Sequence, residues 1–322
     1  MNALKTMAEI VIIDPDGEYA PLVRALGGEV ITISASSLNH INALDMEQGY
    51  GDGENPVILK AEFILSMFEQ LVAPAKLSAK EKSIIDRCTA LVYKDYVRGN
   101  CIGTPPTLQD FYRILLQQTE PEARDVALIM ELFTTGSLNT FAKVTNVNTN
   151  SRIVCYDIRD LGKQLLPVGM LVVLDSIFNR VIRNRALGKK TWIYIDEIYL
   201  LFQHEYSANF LFTLWKRVRK YGACATGITQ NLEDLLQSHT ARTMLGNSEF
   251  LVMLNQAGND REALAKLLNI SDNQMTHITD VPAGYGLLKC GSAIVPFVNE
   301  FPKDTQLYKL MTTNPEEVNQ WS

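Results

Sequence analysis

The sequence predicts an α/β fold: a mostly parallel sheet with helices on both faces, interrupted by an all-helical block. Continuous β-branched runs such as Ile10-Val11-Ile12-Ile13 stop abruptly at turn residues, the pattern of strands buried on both faces. Such runs alternate with helical segments over most of the chain. From about Val57 to Ala142 the strand-like runs vanish and apolar residues fall at helical spacing. These shifts divide the 322 residues into a first α/β part over 1–54, a helical insertion over 55–150 and a second α/β part over 151–322.

Taken in order, Ile10 to Ile13 and Val30 to Ile33 read as strands around a short helix over Tyr19 to Leu26 that ends at Gly27-Gly28. In the helical block, Ser78-x-x-Glu81, Thr107-x-x-Asp110 and Thr119-x-x-Glu122 have the form of capping boxes, so at least four helices are expected. Ile153 to Asp157 is the next strand, Val168 to Arg185 a long helix and Thr191 to Ile195 a further strand. A helix over Ala208 to Lys220 leads to the strand Ala223 to Ile228, and Phe250 to Leu254 continues the alternation. Helices near Asp260 to Leu268 and Ser271 to His277 follow, and Gly286 to Lys289 with Ala293 to Phe297 reads as a hairpin.

Composition narrows the function. A 47% hydrophobic, 20% charged chain is globular, and its net charge of -6 argues against a surface that is nucleic-acid footprint throughout. Five scattered cysteines without a Cys-x-x-Cys read as reduced, mostly buried thiols. No membrane span is expected, because the apolar run from Leu165 to Leu174 is interrupted by Pro167 and Gly169. The four histidines show no metal-ligand spacing, and no Gly-x-Ser-x-Gly elbow is present.

Ligands of parallel sheets bind beyond the carboxyl ends of the strands, so motifs just after strands carry the most weight. Trp192-Ile193-Tyr194-Ile195-Asp196-Glu197 is an apolar strand ending in two acids, the form of a Walker B element. There Asp196 would hold Mg²⁺ through its water shell and Glu197 would deprotonate the attacking water; a strand ending in solvated acids is the plainer alternative. At the next strand end, in Thr229-Gln230-Asn231, Gln230 is placed to sense a γ-phosphate, or is simply a polar loop. Trp215-Lys216-Arg217-Val218-Arg219-Lys220 puts cations at a helix C-terminus, where the dipole alone favours them, and Arg217 or Arg219 is a candidate arginine finger. Asp14-Pro15-Asp16-Gly17-Glu18-Tyr19 is a third strand-end acid cluster, equally compatible with an ordinary turn. Asn255 to Arg261 ends a fourth strand with a polar, Gly-containing loop that a helix cap at Asn259 also explains. The phosphate-cradling Gly-x-x-x-x-Gly-Lys-[Ser/Thr] is absent from these residues, and Lys189-Lys190 precedes a strand and reads as a solvated turn.

The ordered set Asp14-Pro15-x-Gly17-Glu18-Tyr19, helical insertion, Ile195-Asp196-Glu197, Trp215-Lys216-Arg217-x-Arg219-Lys220, Thr229-Gln230-Asn231 and Asn255-Gln256-Ala257-Gly258-x-Asp260-Arg261 resembles the C-terminal motor domain of the TraC/TrbE-type conjugation ATPases. The resemblance implies a RecA-like P-loop NTPase sheet of the HerA/FtsK superfamily, working as an oligomer, by family a hexamer, in type IV secretion. It implies ATP and Mg²⁺ as cofactors, with Asp196 on the magnesium side, Glu197 as base and Gln230 as γ-phosphate sensor. Arg217, Arg219 or Arg261 would make contacts in trans, and Asp14 and Glu18 would lie near the nucleotide. The implied partners are inner-membrane and coupling components of the secretion system, with DNA a candidate substrate, and the implied location is the cytoplasmic face of the bacterial membrane without a span of its own. In the family, the first strand and the P-loop precede the strand equivalent to Ile10 to Ile13, so the expectations here are a sheet that lacks its central strand and is left with unpaired edges, and weak or no ATP hydrolysis by this chain alone. A non-hydrolysing accessory subunit or remnant, or a HerA-like DNA translocase sharing Asp-Pro-x-Gly-Glu-Tyr, are the other readings.

Overall fold

The computed structural model describes residues 3–50, 53, 55–256, 258–314 and 317. The chain forms two compact units, Met1–Ile228 and Thr229–Ser322.

The first unit is built on five strands, β1 (Glu9–Asp14), β2 (Glu29–Thr32), β3 (Ile153–Asp157), β4 (Thr191–Ile195) and β5 (Ala223–Gly227), in the order β2-β3-β1-β4-β5. All four pairings are parallel. Every residue of β1 and β3 is buried, as their uninterrupted apolar runs require of strands covered on both faces. β1 pairs with β3 on one side and β4 on the other, so the sheet has no gap at its centre; among the described residues its open edges are β2 and β5. The short α1 (Ala20–Ala25) connects β1 to β2.

Helix α6 (Gly162–Ala186) is the core helix of this unit. It runs straight through Pro167 and Gly169, against expectation. Pro167 lies close enough to the start to remove only one early hydrogen bond, and at Gly169 a Cβ would come 2.2 Å from Leu161 Cδ1, so a larger residue there would have to displace the leucine. The helical stretch Arg159–Ala186 is therefore long and apolar enough to cross a membrane by length and composition, yet 83% of its most apolar window is buried inside the protein. Its apolarity is that of a helix enclosed on all sides.

Among the described residues four helices lie between β2 and β3: α2 (Pro56–Val72), α3 (Ala79–Arg98), α4 (Leu108–Leu116) and α5 (Pro121–Thr134). They belong to the same compact unit as the sheet. Ser78 with Glu81 and Thr107 with Asp110 form the expected capping boxes. Thr119 does not cap α5, because Pro121 is already its first residue and makes Glu120 the N-cap. Helix α2 packs against α3, α6 and α7 (Glu205–Lys220). Near its N-terminus, wholly buried Lys60 is paired with Asp175 of α6, which also accepts from the Tyr50 hydroxyl.

The second unit contains the antiparallel sheet β6 (Phe250–Met253), β7 (Tyr285–Cys290) and β8 (Ala293–Val298), in that order. The hairpin is as expected. β6, which reads in sequence as one more parallel strand, instead pairs antiparallel with β7. Helices α8 (Leu232–Gln237), α9 (His239–Gly246), α10 (Gly258–Leu268), α11 (Asp272–Met275) and α12 (Gln306–Met311) complete it. Asn259 lies inside α10, and Ala257 is outside the described residues. All five cysteines are free, but only Cys88 and Cys155 are buried; Cys224 and Cys290 are exposed.

Candidate active site

Parallel pairing brings the carboxyl ends of β1, β3 and β4 side by side. Asp14 is in register with Asp157, and the Asp196 N–H donates to the Ile13 carbonyl at 3.2 Å, so three strand-end acids share one edge of the sheet.

Each acid is held differently. Asp14 is fully enclosed. One carboxylate oxygen accepts from the N–H groups of Gly17 (2.7 Å) and Glu18 (3.1 Å), the other from that of Tyr19 (3.0 Å), and the Cys155 thiol lies 3.7 Å from the second oxygen. With its acceptor positions facing its own turn, Asp14 builds the loop at the carboxyl end of β1. Glu18, exposed on the same turn, points charge outward; partial burial and the neighbouring Asp16, Asp196 and Asp14 push its carboxyl up.

Asp196 is buried, and that burial, with the charges of Asp14 and Asp16, raises its carboxyl above the usual range. It accepts from the Glu197 N–H at 3.0 Å. Glu197 sits at φ 45°, ψ 45°, a left-handed conformation that costs a non-glycine residue about 1 kcal/mol or more. This kink ends β4 sharply and turns consecutive acids into different directions. A cation beside Asp196 would relieve the repulsion among the strand-end acids, so the residues fit Mg²⁺ held by one carboxylate and water. Among the described residues no three acids, histidines or cysteines form a direct metal cage. For the triphosphate the fit is incomplete, since the sequence contains no Gly-x-x-x-x-Gly-Lys-[Ser/Thr] cradle.

One cation escaped the sequence reading. Arg159, just past β3 and half-exposed, lies over the Asp14–Tyr19 turn so closely that a Cβ on Gly17 would meet its Nη1 at 2.6 Å. It is 3.8 Å from Asp157 and 3.9 Å from Asp160. The signal was available as an arginine two residues beyond a strand-end acid, but the flanking acids masked it.

Arg217 and Arg219 stand elsewhere. Helix α7 joins two parallel neighbours, so it travels from the carboxyl end of β4 back to the amino end of β5, and its 16 residues span roughly 24 Å. Both arginines lie in its last turn, at the end of the sheet remote from Asp196. Arg217 is half-buried with its charge acting on the enclosed Tyr50 hydroxyl, whereas Arg219 is exposed. At this amino end Lys189 is no free turn residue either: it is 3.1 Å from Glu9, a buried acid that also accepts from Arg180 and Asn184.

Gln230 and Arg261 belong to the second unit. Gln230 is exposed at the start of a turn in which the Asn231 side chain caps α8 by accepting from the Asp234 N–H, and Arg261 is half-buried in the first turn of α10.

A parallel α/β sheet with an acid pair at the carboxyl end of an inner strand is the fold of the P-loop NTPases, and comparison with known proteins agrees. A family model described as the TraG P-loop domain matches residues 136–284, which include Asp196, Glu197, Arg217, Arg219, Gln230 and Arg261 but not Asp14 or Glu18. VirB4 of Thermoanaerobacter pseudethanolicus is 23% identical, with a TM-score of 0.81 over 97% of this chain and 83% of that one. A structure of the plasmid coupling protein TrwB in complex with ADP and Mg²⁺ is 13% identical, with a TM-score of 0.50 over 94% of this chain and 88% of that one. No curated protein matches the sequence.

Proposed function

We propose that this chain is motor-domain material of a type IV secretion ATPase, coupling ATP hydrolysis to assembly of the channel and transfer of substrate. The observation that carries it is the kinked end of β4, where buried Asp196 and left-handed Glu197 meet the acidic end of β1. The family match over 136–284 and the VirB4-like fold support the same reading. Bound Mg²⁺ would neutralise phosphate charge. Asp196 would hold that ion through water and Glu197 would take the proton of the attacking water, while the γ-phosphate sensor role of Gln230 is the one the resemblance implies.

The position of the basic cluster adds a constraint. Lying at the far end of the sheet from Asp196, Arg219 is out of reach of its own site and suits a nucleotide held by a neighbouring copy, in a head-to-tail ring of the hexameric kind the resemblance implies. Arg217 is half-buried and Arg219 exposed, which makes Arg219 the better candidate. Other secretion components and DNA are partners on this reading, at the cytoplasmic face of the membrane.

The second reading is a non-hydrolysing accessory subunit of the same kind of system. Steady-state ATPase assays on the native polypeptide separate the two. Mg²⁺-dependent turnover that falls at least about 100-fold in Glu197→Gln supports the motor. Oligomerisation with no turnover and no response to Glu197→Gln supports the accessory subunit.

A further inference from the structure

We infer that one face of the antiparallel sheet β6-β7-β8 is a docking surface for an amphipathic helix of a second polypeptide, with an uncharged apolar stripe and basic residues at both ends.

Pairing across the strands fixes what this face carries. Phe250, Cys290 and Ala293 stand opposite one another on β6, β7 and β8, as do Val252, Leu288 and Val295, and opposite residues share a face. Gly286 and Phe297 make the next row, and the Phe297 ring lies over the glycine, where a Cβ would meet its Cε1 at 2.9 Å. No charged side chain stands in these rows. The alternate residues Met253 and Leu287 point to the opposite face and are buried, so that side is already covered. The first side is open: Phe250 is 65% exposed, Val252 63% and Val295 48%. A sheet covered on one face whose other face is apolar lacks a layer, and soluble chains rarely leave a large contiguous apolar patch bare without a partner for it.

Size and charge select the occupant. Three strands about 4.8 Å apart, the longer two of six residues, make a face of roughly 14 by 20 Å. That is the footprint of one helix about 10–12 Å across and about 13 residues long. It is only about a third of the roughly 800 Å² per partner in a stable complex of two globular chains, which argues against a second copy of this chain. Exposed acids mark both ends of the face. Glu249, whose carbonyl accepts from the Gly291 N–H at 3.0 Å, stands at the hairpin tip, and Glu300 follows β8 at the other end. A helix laying residues i, i+3, i+4 and i+7 on the rows meets negative charge at either terminus, which Lys or Arg answers. A charge within its stripe would be buried against hydrocarbon without a partner.

The test uses the full chain and a dye-labelled synthetic peptide with leucines at i, i+3, i+4 and i+7 and lysines at both ends, followed by fluorescence anisotropy. The native chain is expected to bind it, and to bind a peptide with the stripe scrambled, or with glutamates at the ends, at least about tenfold more weakly. Val252→Asp and Val295→Asp are each expected to weaken binding at least about tenfold with an unchanged melting temperature, since both side chains face solvent. Leu128→Asp, at an exposed leucine of α5, is expected to bind like the native chain. Equal binding of the striped and scrambled peptides, or of the lysine- and glutamate-ended ones, overturns the stated partner. Native affinity in both valine variants overturns the stated face, and so does a loss in Leu128→Asp as large as theirs. No binding by the native chain overturns the proposal as a whole. Sedimentation that shows an oligomer of the native chain, dissociated by Val252→Asp, gives the face to a second copy and overturns it too. Should Val252→Asp melt early, Val295→Asp and the peptide series decide.

Discussion

Replacing Lys60 with methionine isolates the contact that ties the helical block to the core. Lys60 on α2 is wholly buried and Asp175 on α6 is 3% exposed at its side chain. The ammonium also lies 5.0 Å from the Tyr50 ring centre and 4.7 Å from that of Phe63. Methionine keeps the volume and a soft contact with both rings, so cavity and ring terms nearly cancel. What remains is a buried carboxylate without its cation. Removing one partner of such a pair typically costs about 3–5 kcal/mol. Here Asp175 keeps the Tyr50 hydroxyl and the Asn179 amide at 3.4 Å, which places the expected loss near the lower end, about 3 kcal/mol. For a unit the size of Met1–Ile228 that is a drop in Tm of roughly 6–12 °C. Urea titration followed by circular dichroism reads it directly. The double variant Lys60→Met/Asp175→Leu should recover most of the loss, because replacing both charges removes the orphan. A loss below about 1 kcal/mol in Lys60→Met would refute the reasoning, since it would mean that Asp175 is solvated or neutral whether or not the lysine is there.

Two further perturbations probe the two ends of the sheet. Glu9→Gln at the amino end should cost about 2–4 kcal/mol at pH 7, because it strips the charge that Arg180 (2.7 Å) and Asn184 (2.7 Å) share. Burial pushes this carboxyl up, but the bonds from Asn184, Arg180 and Lys189 outweigh it and hold it below the usual range. A depressed carboxyl binds fewer protons folded than unfolded, so its contribution is present above about pH 4.3 and lost as pH falls through the folded value. The native-to-variant difference should therefore shrink below about pH 4, and a difference that stays constant down to pH 3 would contradict it. At the carboxyl end, Gly17→Ala should destabilise by about 1–2 kcal/mol through its φ of +75° and the push on Arg159; unchanged stability by denaturant titration would show that the turn is not fixed.

The strands were legible because burial on both faces leaves an unmistakable trace, and β1, β3 and β4 fall within a residue or so of their apolar runs. Capping chemistry was equally direct at Ser78 and Thr107. What failed did so for reasons of context. Pro167 and Gly169 look like breakers until Leu161 is seen packed on the glycine. β6 carries the same apolar character as a parallel strand, and only its partner β7 decides the direction. Lys189 looked solvated because Glu9, its partner, is 180 residues away in sequence. That Asp14 closes its own turn was not legible either, because an acid at a strand end has the same appearance whether it faces a cation or its own turn. The acid pair Asp196-Glu197 was readable, while the left-handed backbone that separates their directions was not.

The polarity of the sheet explains why these acids and arginines belong to one design while sitting apart. In a parallel sheet every strand presents its carboxyl end on one side, so the acids that follow β1, β3 and β4 gather without any long-range choice of contact. Every returning helix ends on the opposite side, where its dipole favours cations, and α7 accordingly closes with Arg217, Arg219 and Lys220. Within one copy the two groups are separated by the length of the sheet. On the reading proposed above, stacking a second copy head to tail would bring unlike charges together, with the exposed Arg219 facing the neighbour's Asp196 edge. On this reading the dipole that stabilises a helix end also supplies the cation that completes a site across the interface.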